Sequence, residues 1–290
     1  MPGTLYVVAT PIGNLEDMSP RAARILAEAD LVAAEDTRVS GLLLERFGVR
    51  AKLVSCHKFN ERARIDTLLR ALQEGRNIAL ISDAGTPCIS DPGSILVEAA
   101  AAAGIDVVGV SGPCAAVTAL SISGFPCGRF QFIGFLPRTG KELRQAFCDY
   151  AERGIEVLVG YESPNRILAA MEELRQVLPS CRVCLCNDLT KRYERVYRGS
   201  PAEVLQQLAE NPNASKGEYT LVLYSEPEKQ AQAARPALSP EAALTELIVA
   251  RGLSLKQAVA ALAADGGVPR NEAYAASLRL KRLFCADGGA

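Results

Sequence analysis

Short apolar runs alternating with amphipathic segments constrain this chain more than any other feature. Leu5–Thr10, Leu31–Glu35, Lys52–Cys56, Ile78–Asp83 and Val107–Ser111 are too short for helices and are bounded by turn residues, which predicts strands. Helical patterns lie between them. Ser19-Pro20 supplies an N-cap and a first-turn proline for a helix running to Ala29. Asn60–Gln73 puts Ile65, Leu68, Leu69 and Leu72 on one face, with Gly75 just past its end. Such βα alternation predicts a mostly parallel sheet covered on both faces, whose ligands bind beyond the carboxyl ends of the strands. The loops Thr10–Asn14, Glu35–Arg38, Asp83–Pro87 and Ser111–Cys114 all fall at that edge.

After Phe125 strands become more frequent: Phe130–Phe135, Val157–Tyr161, Arg182–Cys186, Arg195–Arg198 and Tyr219–Tyr224, with helices at Lys141–Tyr150, Asn165–Val177 and Pro201–Ala209. This pattern predicts a second α/β domain with some antiparallel pairing. The polar, Ala/Gln/Pro-rich stretch after Glu226 reads as a linker. Beyond it come three short helical patterns, Pro240–Ala250, Ser254–Ala264 and Arg270–Arg282, broken by Gly266-Gly-Val-Pro269. The last carries Arg270, Arg279, Lys281 and Arg282, so the trihelical unit is similar to a helix-turn-helix module, or is a solvated helical cap. The expected organisation is α/β domains at 1–124 and 125–226, a linker at 227–238 and a helical unit at 239–290.

Several functional classes fall away. A net charge of −1 over 290 residues provides no overall basic field, although local patches remain open. No apolar run reaches membrane-span length and the N-terminus has no basic lead, so a soluble, cytoplasmic protein is expected. The nine cysteines are scattered through predicted strands and helices, as free thiols in a reducing compartment would be. Cys181, Cys184 and Cys186 lack the fourth ligand of a zinc site, and no metal site is expected. The single histidine, His57, has no nucleophile elbow to serve. Thr10–Leu15 holds one glycine where a dinucleotide fingerprint needs three. Gly134–Glu142 misses the phosphate-binding loop in both spacing and its metal-binding residue.

The densest turn chemistry sits in Ile81–Ser94, ISDAGTPCISDPGS, directly after a predicted strand. Gly85 permits a close backbone approach, Pro87 and Pro92 fix φ, and the small polar side chains can bond their own backbone. A rim of this kind suits a small organic cofactor better than a triphosphate.

Taken in order, Thr10–Leu15, Ala34–Arg38, Ser82–Gly93, Ser111–Pro113, Tyr161–Arg166 and Lys216–Glu218, with the C-terminal helices, resemble the ribosomal RNA small-subunit methyltransferase I family. That family belongs to the tetrapyrrole-methylase-like class of S-adenosylmethionine (SAM) enzymes. The resemblance implies two α/β domains with a SAM cleft between them, a small C-terminal helical unit, and a homodimer. It further implies 2′-O-methylation of a cytidine ribose in the decoding region of 16S ribosomal RNA, the partner being that RNA or the small subunit.

Carried over position by position, the resemblance implies SAM contacts at Pro11, Asp83, Ala84, Gly85, Thr86, Ile89, Ser90, Ser111, Gly112 and Pro113. Tyr161, Glu162, Gly217 and Glu218 would close the cleft from the second domain. Methyl transfer to a ribose hydroxyl needs positioning and help with a proton, so carboxylates at the strand edge are the candidate bases. Asp36 stands first, followed by Glu35 and Glu162; the alternative for Glu35–Arg38 is a helix N-cap with a charge-paired first turn. Arg38, Lys141, Arg270, Arg279, Lys281 and Arg282 are the candidate RNA contacts. A precorrin or uroporphyrinogen methylase and a non-enzymatic RNA-binding scaffold are the competing functions.

Overall fold

A computed structural model of the chain describes residues 1–226, 239–264 and 269–285. Two compact units divide it, Met1–Gln230 and Ala231–Ala290, and both sheets belong to the first. The expected linker at 227–238 lies outside the described residues.

The first sheet is built from β1 (Leu5–Val8), β2 (Leu31–Ala34), β3 (Leu53–Ser55), β4 (Ile78–Ile81) and β5 (Val107–Val110), in the order β3-β2-β4-β1-β5. Every pairing is parallel. Helices α1 (Pro20–Glu28), α2 (Thr37–Arg46), α3 (Glu61–Gln73), α4 (Ser94–Ala102) and α5 (Ala115–Ser123) follow the successive strands. Strand alternation divides the apolar residues between two faces. Ile78 and Leu80 of β4 join Leu68, Leu72 and Leu96 of α3 and α4, whereas Ala79 and Ile81 join Ile25, Leu26 and Leu44 of α1 and α2. Because both faces are covered, β4 is apolar at every position.

The second sheet runs β6 (Gln131–Phe135), β7 (Val157–Glu162), β10 (Tyr219–Tyr224), β8 (Arg182–Asn187), β9 (Arg195–Gly199). Its β6–β7 pair is parallel and the other three pairs are antiparallel, so the expected mixture is present. One face packs against α6 (Gly140–Glu152), α7 (Ile167–Val177) and α8 (Pro201–Ala209) through residues such as Phe147, Met171, Leu174 and Val204. On the other face, Val157, Val159, Cys184, Cys186 and Val222 pack against Ala116, Ala119 and Leu120 of α5. Thus α5 leaves the first sheet and docks on the second, and its small side chains permit the close approach. Cys184 and Cys186 share this buried face with sulfurs 3.9 Å apart, serving as compact apolar filler.

The C-terminal unit holds α9 (Pro240–Arg251), α10 (Leu255–Ala264) and α11 (Arg270–Cys285) around Leu244, Ala258, Ala276 and Leu280. Ser254 and Gln257 form a reciprocal cap at the start of α10. Glu241 pairs with Arg279, whose guanidinium holds that carboxyl below its usual range. Among the described residues no helix is long and apolar enough to cross a membrane.

Most strands end one or two residues away from expectation, β4 for example at Ile81 rather than Asp83. β1 stops at Val8, and Thr10 instead makes an isolated antiparallel bridge with Gly85. β3 keeps only Leu53–Ser55 of the expected Lys52–Cys56, its neighbour β2 pairing over Val32–Ala34.

Candidate functional site

The bridge between Thr10 and Gly85 begins the site. Thr10 N donates to Gly85 O at 2.9 Å and Gly85 N returns the bond at 3.0 Å, which ties the β1 and β4 loops together. Thr86 Oγ1 donates to Pro113 O (3.1 Å), adding the β5 loop, and Asp36 N donates to Asp83 Oδ1 (3.0 Å), adding the β2 loop. Gly85 has φ +81°, and a Cβ there would lie 3.3 Å from Ile12 Cγ2. Cys88 and Ser90 also hold φ of +68°, a conformation that costs about 1 kcal/mol or more per non-glycine residue. The turn chemistry of Ile81–Ser94 therefore builds a fixed, strained wall whose position depends on three other loops.

Opposite this wall stand the ends of β6 and β7 and the start of β10. Between them lies a cleft of about 490 Å³, within the range of small-molecule sites. Ile12, Glu35, Asp83–Thr86, Ile89–Asp91, Cys114 and Ala115 line one side. Phe135, Tyr161–Pro164, Leu189 and Glu218–Thr220 line the other. The Tyr161 hydroxyl accepts from Ala116 N at 3.2 Å, so the second wall also caps the start of α5. Burial, aided by Cys114, pushes the Tyr161 hydroxyl up to about 12 and keeps it protonated.

The cleft is acidic. Burial first, then the charges of Asp91 and Asp83, raises the Glu35 carboxyl above its ordinary range. Asp91 is raised as well, chiefly by burial, against an opposing hydrogen bond from Ser82. Glu162 is only 3 % exposed. Its Oε1 accepts from Ser163 N at 2.6 Å and its Oε2 pairs with Arg166 at 3.1 Å.

Of the residues singled out in the sequence, the lining brings together Glu35, Asp83, Ala84, Gly85, Thr86, Ile89, Ser90, Tyr161, Glu162 and Glu218. Pro11, Ser111, Gly112, Pro113 and Gly217 are not among the lining residues. A Cβ at Gly112 would lie 2.9 Å from Ala9 Cβ, and one at Gly217 would lie 2.2 Å from Asp188 Oδ2. These glycines permit close packing against Ala9 and Asp188.

Asp36 is also outside the lining. It is the N-cap of α2, accepting from Arg38 N (2.8 Å), and Arg38 Nε and Nη2 bind it at 3.1 and 2.6 Å. The Arg38 guanidinium holds that carboxyl far below its usual range. This is the capped, charge-paired helix start that the sequence offered as the alternative. His57 holds a turn, its Nδ1 accepting from Phe59 N.

Arg38 is engaged with Asp36, and Lys141 lies exposed on the first turn of α6. Arg279 is engaged with Glu241, Arg270 and Lys281 are exposed, and the Arg282 side chain lies outside the described residues. Ile12, Asp91, Ser163 and Pro164 sit inside motifs already quoted, but Phe135 and Leu189 come from segments whose path only the fold reveals. Among the described residues no group of His, Cys, Asp and Glu side chains is arranged to hold a metal ion.

Residues 4–205 match the family model for tetrapyrrole (corrin/porphyrin) methylases. The fold is shared with solved structures. The methyltransferase CobJ aligns with a TM-score of 0.57 at 18 % identity, over 77 % of this chain and 94 % of that one. Uroporphyrin III C-methyltransferase from Thermus thermophilus aligns with a TM-score of 0.54 at 18 % identity, over 77 % and 98 %. Far more similar in sequence are proteins named ribosomal RNA small subunit methyltransferase I. That of Escherichia coli O157:H7 is 44 % identical over 94 % of this chain and 93 % of its own length. That of Halalkalibacterium halodurans is 44 % identical over the same shares. With the strand-edge cleft, two-sheet fold and full-length similarity all in agreement, the chain belongs to the tetrapyrrole methylase family and, within it, to the ribosomal RNA small subunit methyltransferase I group.

Proposed function

We propose that this protein transfers a methyl group from SAM to the 2′-hydroxyl of a cytidine ribose in the decoding region of 16S ribosomal RNA, within the small ribosomal subunit. The observation that supports this reading is 44 % identity over 94 % of the chain to relatives named ribosomal RNA small subunit methyltransferase I. The cleft fits the cofactor. Its carboxylates suit the sulfonium and ammonium charges, and Ile12, Ile89 and Leu189 offer apolar walls to the adenosine.

When bound, SAM supplies a methyl carbon activated by its sulfonium. This chain contributes position, charge and a proton acceptor. Asp83–Thr86, Ile89 and Ser90 would hold one side, and Tyr161 and Glu218 the other. Glu35 is the assigned base, accepting the 2′-hydroxyl proton as the oxygen takes the methyl group. It lines the cleft, and its raised pKa makes its carboxylate a stronger base than an ordinary one. Asp36 and Glu162 are committed to Arg38 and Arg166.

Labelled SAM, offered with unmodified small subunits, naked 16S RNA or uroporphyrinogen, tests the reading. Label is expected in one alkali-resistant, 2′-O-methylated cytidine of the RNA. Label in the tetrapyrrole or on a base would overturn it. Gly85→Val forces a branched side chain into φ +81° beside Ile12, and should weaken SAM binding by about 10-fold or more in calorimetry.

The C-terminal helices are assigned to RNA docking, through the exposed Arg270 and Lys281 rather than the paired Arg279. Replacing both by glutamine in the full chain should reduce the salt slope of subunit binding by about 1.5 and leave SAM affinity unchanged. An unchanged slope removes them from the RNA interface.

A further inference from the structure

Phe135 is 63 % exposed, although it is a large apolar residue at the end of a strand and lines the cleft. Its direction is set by a break in the β6–β7 ladder. Phe132 pairs with Val159 and Phe135 with Tyr161, so β6 carries one residue more than β7 across this interval. Gly134, at φ +67°, lies within that bulge, and a Cβ there would lie 3.0 Å from Ser90 Oγ on the opposite wall. Bulges beside active sites re-aim side chains in this way. Without the extra residue, Phe135 would point to the opposite face from Phe132. With it, both rings pack edge-to-face with Tyr161, at centroid distances of 5.0 and 5.7 Å.

The other aromatic side chains of the lining have no such free face. Tyr219 is 1 % exposed, and Tyr161 is partly buried between Phe132 and Phe135 while its hydroxyl accepts from Ala116 N. Phosphates are repelled from the cleft by Glu35, Asp83 and Asp91, whereas Glu218 is paired with Lys191. A nucleotide brought here must therefore enter by its sugar and base. A base leaving its stack loses both neighbours, and enzymes that extrude bases replace them with aromatic faces.

We propose that Phe135 is the stacking platform for the base of the acceptor nucleotide, holding it so that the ribose hydroxyl faces the cleft; this rests on the ribosomal RNA reading above. Ring–base stacking is sequence-tolerant, so Phe135 would position the nucleotide while other contacts choose it.

The test compares Phe135→Ala, Phe135→Leu and Phe135→Trp in the full chain, with unmodified small subunits as acceptor and calorimetry for SAM. Leucine keeps the apolar bulk without a flat face, so it separates stacking from packing. The expected result for Ala and Leu is an RNA KM about 10-fold higher, with SAM affinity within about 2-fold of the parent and Trp restoring the parent value. An unchanged KM in both variants overturns the proposal. So does a matching loss of SAM affinity, which would make Phe135 a wall for the adenine. Failure of the unaltered protein to methylate subunits or naked 16S RNA would instead bring down the ribosomal RNA reading, and the stacking role with it.

Discussion

Glu35→Gln should lower kcat by about 10²- to 10⁴-fold, the usual contribution of a positioned proton acceptor, with SAM affinity nearly unchanged. Glutamine keeps the shape of the side chain and cannot take the proton. The pH dependence carries the same prediction. Glu35 must be ionised to act, and its carboxyl is raised by burial and by Asp91 and Asp83. In the parent, kcat should therefore fall as pH drops through a value above the ordinary carboxylate range, and this limb should vanish in the variant.

Stability should move the opposite way. A carboxyl raised in the folded state makes folding less favourable once it ionises: the folded form binds more protons than the unfolded form between the two pKa values. The parent then carries this cost at neutral pH and loses it as pH falls below the unfolded value. Glu35→Gln should match or exceed the parent Tm at pH 7 and coincide with it in acid. A variant that loses activity together with stability would point to a structural role, and one that keeps its kcat would place the base elsewhere.

Charge placement is where reading the sequence alone reached its limit. Glu35 and Asp36 are adjacent at the end of β2, and nothing in their spacing says which one enters the cleft. Asp36 has extended backbone geometry at the start of α2, which turns its carboxylate back onto the helix N–H groups and Arg38. The βα alternation was legible because burial on both faces leaves an unmistakable apolar run, as in Ile78–Ile81. The loop Ile81–Ser94 was legible because its glycines and prolines answer to local backbone geometry. Phe135 was not, since the bulge that turns it depends on register with β7, which is a non-local property. Gly112 and Gly217 lie outside the lining, and their packing against Ala9 and Asp188 could not be read from their own segments.

Glu61 is a residue that no motif would have revealed, and its removal should have the largest effect on stability. Helix α4 starts directly after the cleft loop, at Gly93, which has no side chain to satisfy the first N–H groups of the helix. Glu61, on the first turn of α3, does so from a distance. Its Oε1 accepts from Gly93 N at 3.0 Å, from Ile95 N at 3.1 Å and from Leu96 N at 3.4 Å, and the residue is 5 % exposed. A negative charge here also meets the positive end of the α4 dipole. Glu61→Ala would strand these donors in a buried place at a cost of about 3 kcal/mol, equivalent to a Tm about 6–12 °C lower for a unit of this size. Glu61→Gln retains an acceptor oxygen and should lose less than half as much. Because Gly93 is also where the strained Ser82–Gly93 wall ends, SAM affinity should fall with Tm in Glu61→Ala and recover in Glu61→Gln. Thermal melts with and without SAM measure both effects. A Tm within about 1 °C of the parent would show that α4 needs no cap from α3, whereas a lowered Tm with unchanged SAM affinity would show that the wall holds its shape without that anchor.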